Sequence, residues 1–165
     1  MSRAFVKEDD QEEAPFIPPR APLPTGESNY VTPAGKEALL KEKELLELEK
    51  EQLKKIEKES DRRKSQLEIN GKLKLLEERI NSAKVIINDN QNPHEVRFGA
   101  LIKFKMNNQI QNFQIVGADE ADVKQQKIAF FSPIARALTG KQKGDTTSFQ
   151  LGKETREIEI LNIEY

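Results

Sequence analysis

The chain has 165 residues, of which 33% are charged and 36% hydrophobic, and its formal net charge is −1. This balance excludes the positive field that drives tight nonspecific nucleic-acid binding, and the lack of cysteine excludes disulfide frameworks, thiolate metal sites and cysteine nucleophiles. No apolar run has the length of a membrane span and no signal-peptide pattern is present, so we expect a cytoplasmic protein without membrane association.

The first 30 residues are predicted to form a disordered, proline-rich acidic tail. Prolines occupy five of the ten positions from Pro15 to Pro24 and follow an acidic cluster. Proline at this density prevents regular helix, and few large apolar residues are present to offset the entropy cost of ordering. A partner-binding segment is the alternative, and its anchors would be Phe5, Val6 and Phe16.

A long helical region follows the tail. Thr32 and Pro33 predict its start, because Thr is a common N-cap and Pro is tolerated at the first helical position. Two apolar stripes are separated by Lys and Glu residues, which favour a solvated helix. The second stripe alternates spacings of four and three residues, as coiled coils do. The stripes are Leu39, Leu46, Leu53 and Ile56, then Ile69, Leu73, Leu76, Ile80, Ala83 and Ile87.

The apolar pattern is interrupted between Ile56 and Ile69, where Ser60 or Asp61 is expected to cap a second helix. Two helices joined by a polar turn fold back most simply as an antiparallel coiled-coil hairpin, predicted here over residues 31–88. Such an arm would project about 35–40 Å at 1.5 Å per residue. A single long helix that dimerises in parallel is the alternative; with the hairpin we expect a monomer.

The pattern changes after a polar linker at residues 89–94. Residues 95–165 show the short alternating runs of β-strands, separated by turn residues. The predicted fold class is α+β, with an N-terminal helical hairpin and a small C-terminal antiparallel β-sheet domain. The predicted strands span residues 96–104, 110–116, 127–131, 146–151 and 156–163.

Two local sequence signals predict a turn and a short helix within this C-terminal domain. Asn107 and Asn108 predict a hairpin turn between the first two strands. Ser132 as N-cap and Pro133 in the first turn predict one short helix, which Gly140 is expected to close.

An ordered series of motifs runs through the same region. The motifs are Phe98-Gly99-Ala100, Val116-Gly117, Asp119-Glu120-Ala121-Asp122, Ser132-Pro133-Ile134-Ala135-Arg136-Ala137-Leu138 with Gly140-Lys141, Gly144-Asp145 and Ile163-Glu164-Tyr165. This series resembles the C-terminal domain of the GreA/GreB family of transcription factors. The resemblance extends to residues 30–35 and 81–86, which are similar to the two ends of that family's coiled-coil arm.

The resemblance implies a C-terminal domain with an FK506-binding-protein-like fold that docks at the secondary-channel rim of bacterial RNA polymerase, while the arm enters the channel. In such factors acidic tip residues help to hold a second Mg²⁺, and the polymerase itself cleaves backtracked RNA. The chain would then be no enzyme, would carry no cofactor or metal, and would meet nucleic acid only indirectly, through the elongation complex.

The arm tip departs from the family pattern. The Gly-Asp-x-x-Glu-Asn-Ala signature of cleavage factors is absent, and the arm is shorter by about one heptad per helix, or about 10 Å of reach. Two interpretations stay open, a modified acidic tip and an ordinary solvated turn. The second would make the chain a non-cleaving regulator or competitor at the channel, like the short-armed regulator Rnk. The candidate tip residues are Glu57, Glu59 and Asp61, beside the cations Lys58, Arg62, Arg63 and Lys64.

The docking candidates come from the same resemblance, which places the loop before the short helix against the polymerase. Phe131 is equally expected in the core, because it and Phe130 point to opposite faces of a strand. Asp119 and Glu120 are candidates for contact with a basic polymerase surface. The remaining docking candidates are Phe131, Ser132, Pro133 and Arg136.

Two other functions and one metal site are disfavoured by composition. A prolyl isomerase needs an aromatic-floored apolar pocket, but the chain has no Trp and two Tyr. A generic coiled-coil adaptor would not need the C-terminal motif series. A zinc site at His94 is not expected, since no cysteine or second histidine accompanies it.

Overall fold

The helical arm begins at Thr32, as predicted. The Thr32 hydroxyl accepts a hydrogen bond from the backbone N–H of Gly35 at 3.0 Å, and Pro33 is the first helical residue. In this computed structural model, which describes residues 13–88 and 92–165, helix α1 spans Pro33–Gln52 and helix α2 spans Glu59–Ser82. A short 3-10 turn at Leu53–Lys55 and an extended segment reverse the chain between them.

The two helices pack along the predicted apolar stripes. Leu39, Ile69 and Leu76 are buried, at 3% exposure or less. Half-buried Leu46 and Ile80 pack against the cluster that Leu39 and Leu76 form with Val31. This packing confirms the hairpin, and a single long helix is wrong because the chain turns back after Lys55.

Two details of the arm differ from the prediction. Helix α2 begins at Glu59 after Lys58, whose side chain makes no capping bond, so the expected cap at Ser60 or Asp61 is wrong. Both residues lie instead in the first turn of α2, where the negative carboxylate of Asp61 interacts favourably with the positive end of the helix dipole. Ile87 lies outside the stripe and is 74% exposed, because α2 ends at Ser82.

A short parallel strand pair closes the base of the arm. Strand β1, Tyr30–Val31, pairs with strand β2, Lys84–Val85. The chain therefore leaves α2 in an extended conformation, which is why the helical stripe stops before Ile87. The predicted linker follows, and residues 89–91 of it lie outside the described residues.

The C-terminal domain is a five-stranded sheet with one short helix, which confirms the α+β fold class. The strand order is β5-β4-β3-β7-β6. The sheet is mixed, where an antiparallel sheet was expected, because two 3-10 turns after β4 return the chain parallel to it as β5. The elements are β3 Leu101–Met106, β4 Gln109–Val116, β5 Lys127–Ala129, α3 Pro133–Leu138, β6 Thr146–Leu151 and β7 Glu154–Glu164.

The local signals in this domain are confirmed. Asn107 and Asn108 form the β3–β4 turn with φ of 50° and 60°, a left-handed conformation that Asn tolerates. The Ser132 hydroxyl accepts from the backbone N–H of Ala135 at 3.3 Å at the start of α3. Thr139 is the C-cap of α3, and Gly140 directly after it has φ of 82°, the left-handed conformation expected of a glycine that closes a helix.

The domain core lies between α3 and one face of the sheet. Alternate residues of β3 are buried there, and Ala135 and Leu138 of α3 cover them. The opposite face carries Lys103 and Lys105 beside Glu159 and is solvated. Within the described residues, no helix is long and apolar enough to cross a membrane. The buried core comprises Val96, Ala100, Ile102, Phe104, Met106, Ile115, Ile128, Ala135, Leu138, Ile158 and Ile160.

The described part of the N-terminal segment, residues 13–29, has neither helix nor strand. It nevertheless contacts both the arm and the β domain, through side chains such as Arg20 and Glu27. The composition did not predict these contacts. Of the expected anchors, Phe16 is 80% exposed, while Phe5 and Val6 lie outside the described residues.

Candidate functional site

The arm tip presents its acidic residues to solvent. Glu57, Glu59 and Asp61 are all exposed at the turn between the helices. Glu59 forms an ion pair with Arg63 at 2.8 Å, and Asp61 lies 3.4 Å from the ammonium of Lys58. Two of the three tip carboxylates therefore have a cation beside them, which weakens their attraction for a metal ion.

The turn itself is held by a neighbouring arginine. Arg62 donates to the backbone carbonyl of Ile56 at 3.2 Å. Within residues 13–88 and 92–165, no group of three or more His, Cys, Asp or Glu side chains could hold a metal ion. The tip can thus offer a carboxylate to a metal held by a partner, and its described residues do not assemble a site of their own.

The predicted docking loop surrounds the start of α3. Pro133 and Arg136 are exposed, while Phe131 and Ser132 are half-buried. The Arg136 guanidinium donates to the Phe131 carbonyl at 3.0 Å and to Glu27 of the N-terminal segment at 2.7 Å. The loop therefore places a rigid proline, an aromatic ring and a positive charge side by side.

An aromatic cluster packs between this loop and the domain core. Phe130 packs against the domain core, edge-on to Tyr30 of β1 at 5.4 Å and to Phe98 at 5.7 Å between ring centroids. Phe131 stands edge-on to Phe130 at 5.2 Å. Phe130 is therefore the residue of the pair that packs inward, and it also joins the domain to the arm base.

Glu120 joins the arm to the domain at the start of α1. Its carboxylate accepts hydrogen bonds from the Thr32 backbone N–H at 3.0 Å, from the Thr32 hydroxyl and from the Gly117 N–H at 3.2 Å. Gly35 has no room for a Cβ, which would overlap this carboxylate. A negative group in this position is favoured by the positive end of the α1 dipole.

Asp119 makes a second junction beside the first. Its side chain is 7% exposed and accepts from Arg20 at 2.9 Å, while Arg79 of α2 lies 3.6 Å away. Hydrogen bonds to Glu42 of α1 and the charge of Asp119 raise the pKa of Arg20, against the desolvation that burial causes. The structure thus gives Asp119 and Glu120 contacts inside the chain, and their role in polymerase docking stays a prediction.

The sequence alone does not predict the partners of these carboxylates, Arg20 and Arg79. A contact across 99 residues, as between Arg20 and Asp119, leaves no local pattern. Gly35 and Gly71 are weak sequence signals of such contacts. Glycine is unfavourable inside a helix, so its presence there indicates a position where another part of the chain packs too closely for a side chain.

Comparison with known proteins identifies the family. A family model described as "Transcription elongation factor, GreA/GreB, C-term" matches residues 90–165. The chain is 40% identical over 100 residues to transcription elongation factor GreA of Methylococcus capsulatus, covering 59% of this chain and 63% of that protein. It is 39% identical over 106 residues to the GreA of Xylella fastidiosa, covering 62% and 67%.

The GreA factor homolog 1 (Gfh1) of Thermus thermophilus superposes with a TM-score of 0.40 at 21% identity, over 84% of this chain and 100% of that one. The GreA/GreB elongation factor of Nitrosomonas europaea gives 0.41 at 17% identity, over 82% and 98%.

The relatives from Methylococcus and Xylella carry the name of a transcription elongation factor, not of an enzyme. The chain spans about 63% of the length of the Methylococcus relative. The match to the family model and the identity to the Xylella protein over 67% of its length agree with the motif series read from the sequence. The chain belongs to the GreA/GreB family of transcription elongation factors.

Proposed function

We propose that this protein binds bacterial RNA polymerase as a monomer, docking at the secondary-channel rim through its C-terminal domain and placing the helical arm in the channel. The observation that carries the proposal is the joining of a GreA/GreB-type domain, matched over residues 90–165, to a hairpin arm. Buried contacts of Glu120 and Asp119 connect the two parts. Nucleic acid would be met only within the elongation complex.

The loop at the start of α3 supplies the proposed docking surface. Pro133 is rigid and exposed, and Phe131 offers part of its ring beside it. Arg136 adds a positive charge that its contact with Glu27 leaves exposed, at 59% of the side chain. Aromatic and arginine side chains provide much of the binding energy at protein interfaces, so these residues suit a small docking anchor.

The arm has the shape of a channel occupant. Helix α1, with 20 residues, is about 30 Å long at 1.5 Å per residue. Its exposed surface carries Glu and Lys side chains, which suit a hydrated channel, together with the exposed Leu40, Leu45 and Leu48. The ion pairs of Glu59 and Asp61 favour a second candidate function, a regulator that occupies the channel without stimulating RNA cleavage.

The binding step is tested with the host's core RNA polymerase and the purified protein. The double change Phe131→Ala and Arg136→Ala should weaken binding about tenfold or more, since loss of an interface anchor costs about 2 kcal/mol. The matched control is Lys153→Ala in the β6–β7 turn, which should bind like the parent. Failure of the parent to bind polymerase, or equal binding by the double variant, contradicts the proposal.

The two candidate functions are separated on backtracked elongation complexes. RNA 3′-end cleavage is followed with the parent and with the triple change Glu57→Ala, Glu59→Ala and Asp61→Ala. Faster cleavage that the triple change abolishes identifies a cleavage factor with a displaced acidic tip. No acceleration, together with competition against a standard cleavage factor, identifies a non-cleaving regulator.

A further inference from the structure

Residues 13–29, called the strap below, run across the junction between the arm and the β domain. Arg20 lies at the centre of the strap. Its guanidinium donates to both carboxylate oxygens of Glu42 on α1, at 2.8 and 3.0 Å. The same group donates to Asp119 of the β domain at 2.9 Å. One side chain of the strap therefore bridges the arm and the domain.

Helix α2 joins the same network. Arg79 donates to the backbone carbonyl of Ala21 in the strap and lies 3.6 Å from the second oxygen of Asp119. The side chains of Arg20, Arg79 and Asp119 are only 18%, 15% and 7% exposed. Two arginines thus face two carboxylates, so the charges balance in a place where an unpaired charge would be costly.

The strap also packs into a gap in α2. Gly71 has no room for a Cβ, because Ile17 occupies the space directly above it. Glycine disfavours a helix interior, so its presence here is explained by the close approach of the strap. Farther along, Asn29 donates to the Arg79 carbonyl and to Ser82, each at 3.0 Å.

On the β domain, the strap contact at Asp119 lies beside the other junction, which joins Glu120 to Thr32, whereas on the arm the strap contact at Glu42 lies farther out. Glu42 is about ten residues beyond Thr32, or about 15 Å farther along α1 at 1.5 Å per residue. An arm held only at its base can tilt about that point, whereas a second attachment along its length fixes a direction. The strap provides that second attachment.

We propose that the strap is an intramolecular clasp that sets the direction of the arm relative to the β domain, with Arg20 as its positioning residue. The clasp adds to the proposed function, on which its biological use rests, because an arm that enters a channel must leave the domain at a defined angle. Its structural claim is tested on the free protein, so failure of polymerase binding and failure of the clasp are separate results.

The lack of native cysteine allows a direct measurement of the arm direction. Cysteines introduced at exposed Lys64 in the arm and exposed Lys153 in the β6–β7 turn carry spin labels, and pulsed electron resonance gives the distance distribution between them. The parent should give one narrow distribution. Arg20→Ala should broaden and shift it, and Arg20→Lys should restore part of the loss by retaining the charge.

Gly71→Ala is the second variant, and it protects the test against simple unfolding. Alanine favours the helix more than glycine, so α2 should persist, as circular dichroism will verify. Ile17 should nevertheless be displaced and the distance distribution broadened. The matched control is Arg63→Ala, which removes an exposed ion pair at the tip and should leave the distribution unchanged. Parent-like distributions in both Arg20→Ala and Gly71→Ala would overturn the clasp.

Discussion

The two ends of the arm use the same residue types in opposite ways. At the tip, Glu59 pairs with Arg63 four residues away, and both side chains are at least 61% exposed. At the base, Asp119 pairs with Arg20 across 99 residues of sequence and is 7% exposed. Water solvates the charged groups at the tip and weakens their attraction, whereas the buried charged groups at the base are stabilised mainly by each other. The tip is therefore free to exchange partners, while the base holds the molecule together.

The largest effect expected from this comparison follows Asp119→Ala. The change leaves Arg20 and Arg79 near each other without their shared carboxylate, and breaking a buried pair costs about 3–5 kcal/mol. Urea unfolding measures the loss. The matched control is Asp61→Ala at the tip, where an exposed pair contributes less than about 1 kcal/mol. Equal losses in the two variants would remove the distinction between base and tip.

A smaller loss is expected from Gly35→Ala. Alanine favours helix by about 1 kcal/mol over glycine, but its Cβ would overlap the Glu120 carboxylate. We expect net destabilisation of about 1–3 kcal/mol, typical of overpacking, because the carboxylate must move from its three hydrogen bonds. Thermal unfolding provides the measurement. An increase in stability would contradict this expectation and show that the Glu120 carboxylate can move without a large cost.

Tyr165→Phe tests the packing of the last residue against the domain. The Tyr165 hydroxyl accepts from the Arg97 backbone N–H at 3.0 Å and donates to the Glu95 carbonyl, so its removal should cost about 0.5–1.5 kcal/mol. Burial raises the pKa of Tyr165 above its ordinary value of 10.0. The folded state thus favours the protonated phenol, and the stability that this preference contributes is fully present below pH 10.0.

The stabilisation from Tyr165 should be lost as pH rises through the raised pKa. The stability difference between parent and Tyr165→Phe, measured by urea unfolding at several pH values, should therefore be constant at neutral pH and shrink in strong alkali. A difference that grows with pH would contradict the assigned direction of the shift.

The smallest effect is expected at the tip itself. Arg63→Ala removes one exposed pair between residues four apart, which is worth about 0.2–0.5 kcal/mol in a helix. Salt should erase most of that difference, since exposed charges are screened. Unfolding at low and high ionic strength measures it, and a loss as large as that of Asp119→Ala would show that the tip is structural.

The sequence predicted those features that depend on neighbouring residues. Thr32 and Ser132 were identified as helix caps because the capping signal lies within four residues, and the Leu39 and Leu76 stripes because helical spacing repeats. The predicted cap of α2 at Ser60 or Asp61 is wrong. The N-cap is Lys58, whose side chain makes no capping hydrogen bond and therefore leaves no capping signal in the sequence. Parallel pairing of β5 was missed because short strands carry no signal of direction.

The candidate site divides in the same way. The position of Glu57, Glu59 and Asp61 near the turn followed from the break in the apolar stripe. The contacts of Glu120 with Thr32 and of Asp119 with Arg20 did not, because these partners lie 88 and 99 residues away. The packing of the strap does not follow from its composition, because a high proline content excludes helix but does not exclude packing in an extended form.

Crosslinking from the tip tests the proposed entry of the arm into the polymerase channel. A photoreactive amino acid replaces Glu57, and the protein is bound to backtracked elongation complexes with labelled RNA. The same probe at Lys153, on the β domain, is the control. We predict crosslinks from position 57 to channel-lining polymerase segments and to the RNA 3′ region, and none to RNA from position 153. Binding to polymerase without any channel or RNA crosslink from position 57 would contradict entry of the arm into the channel.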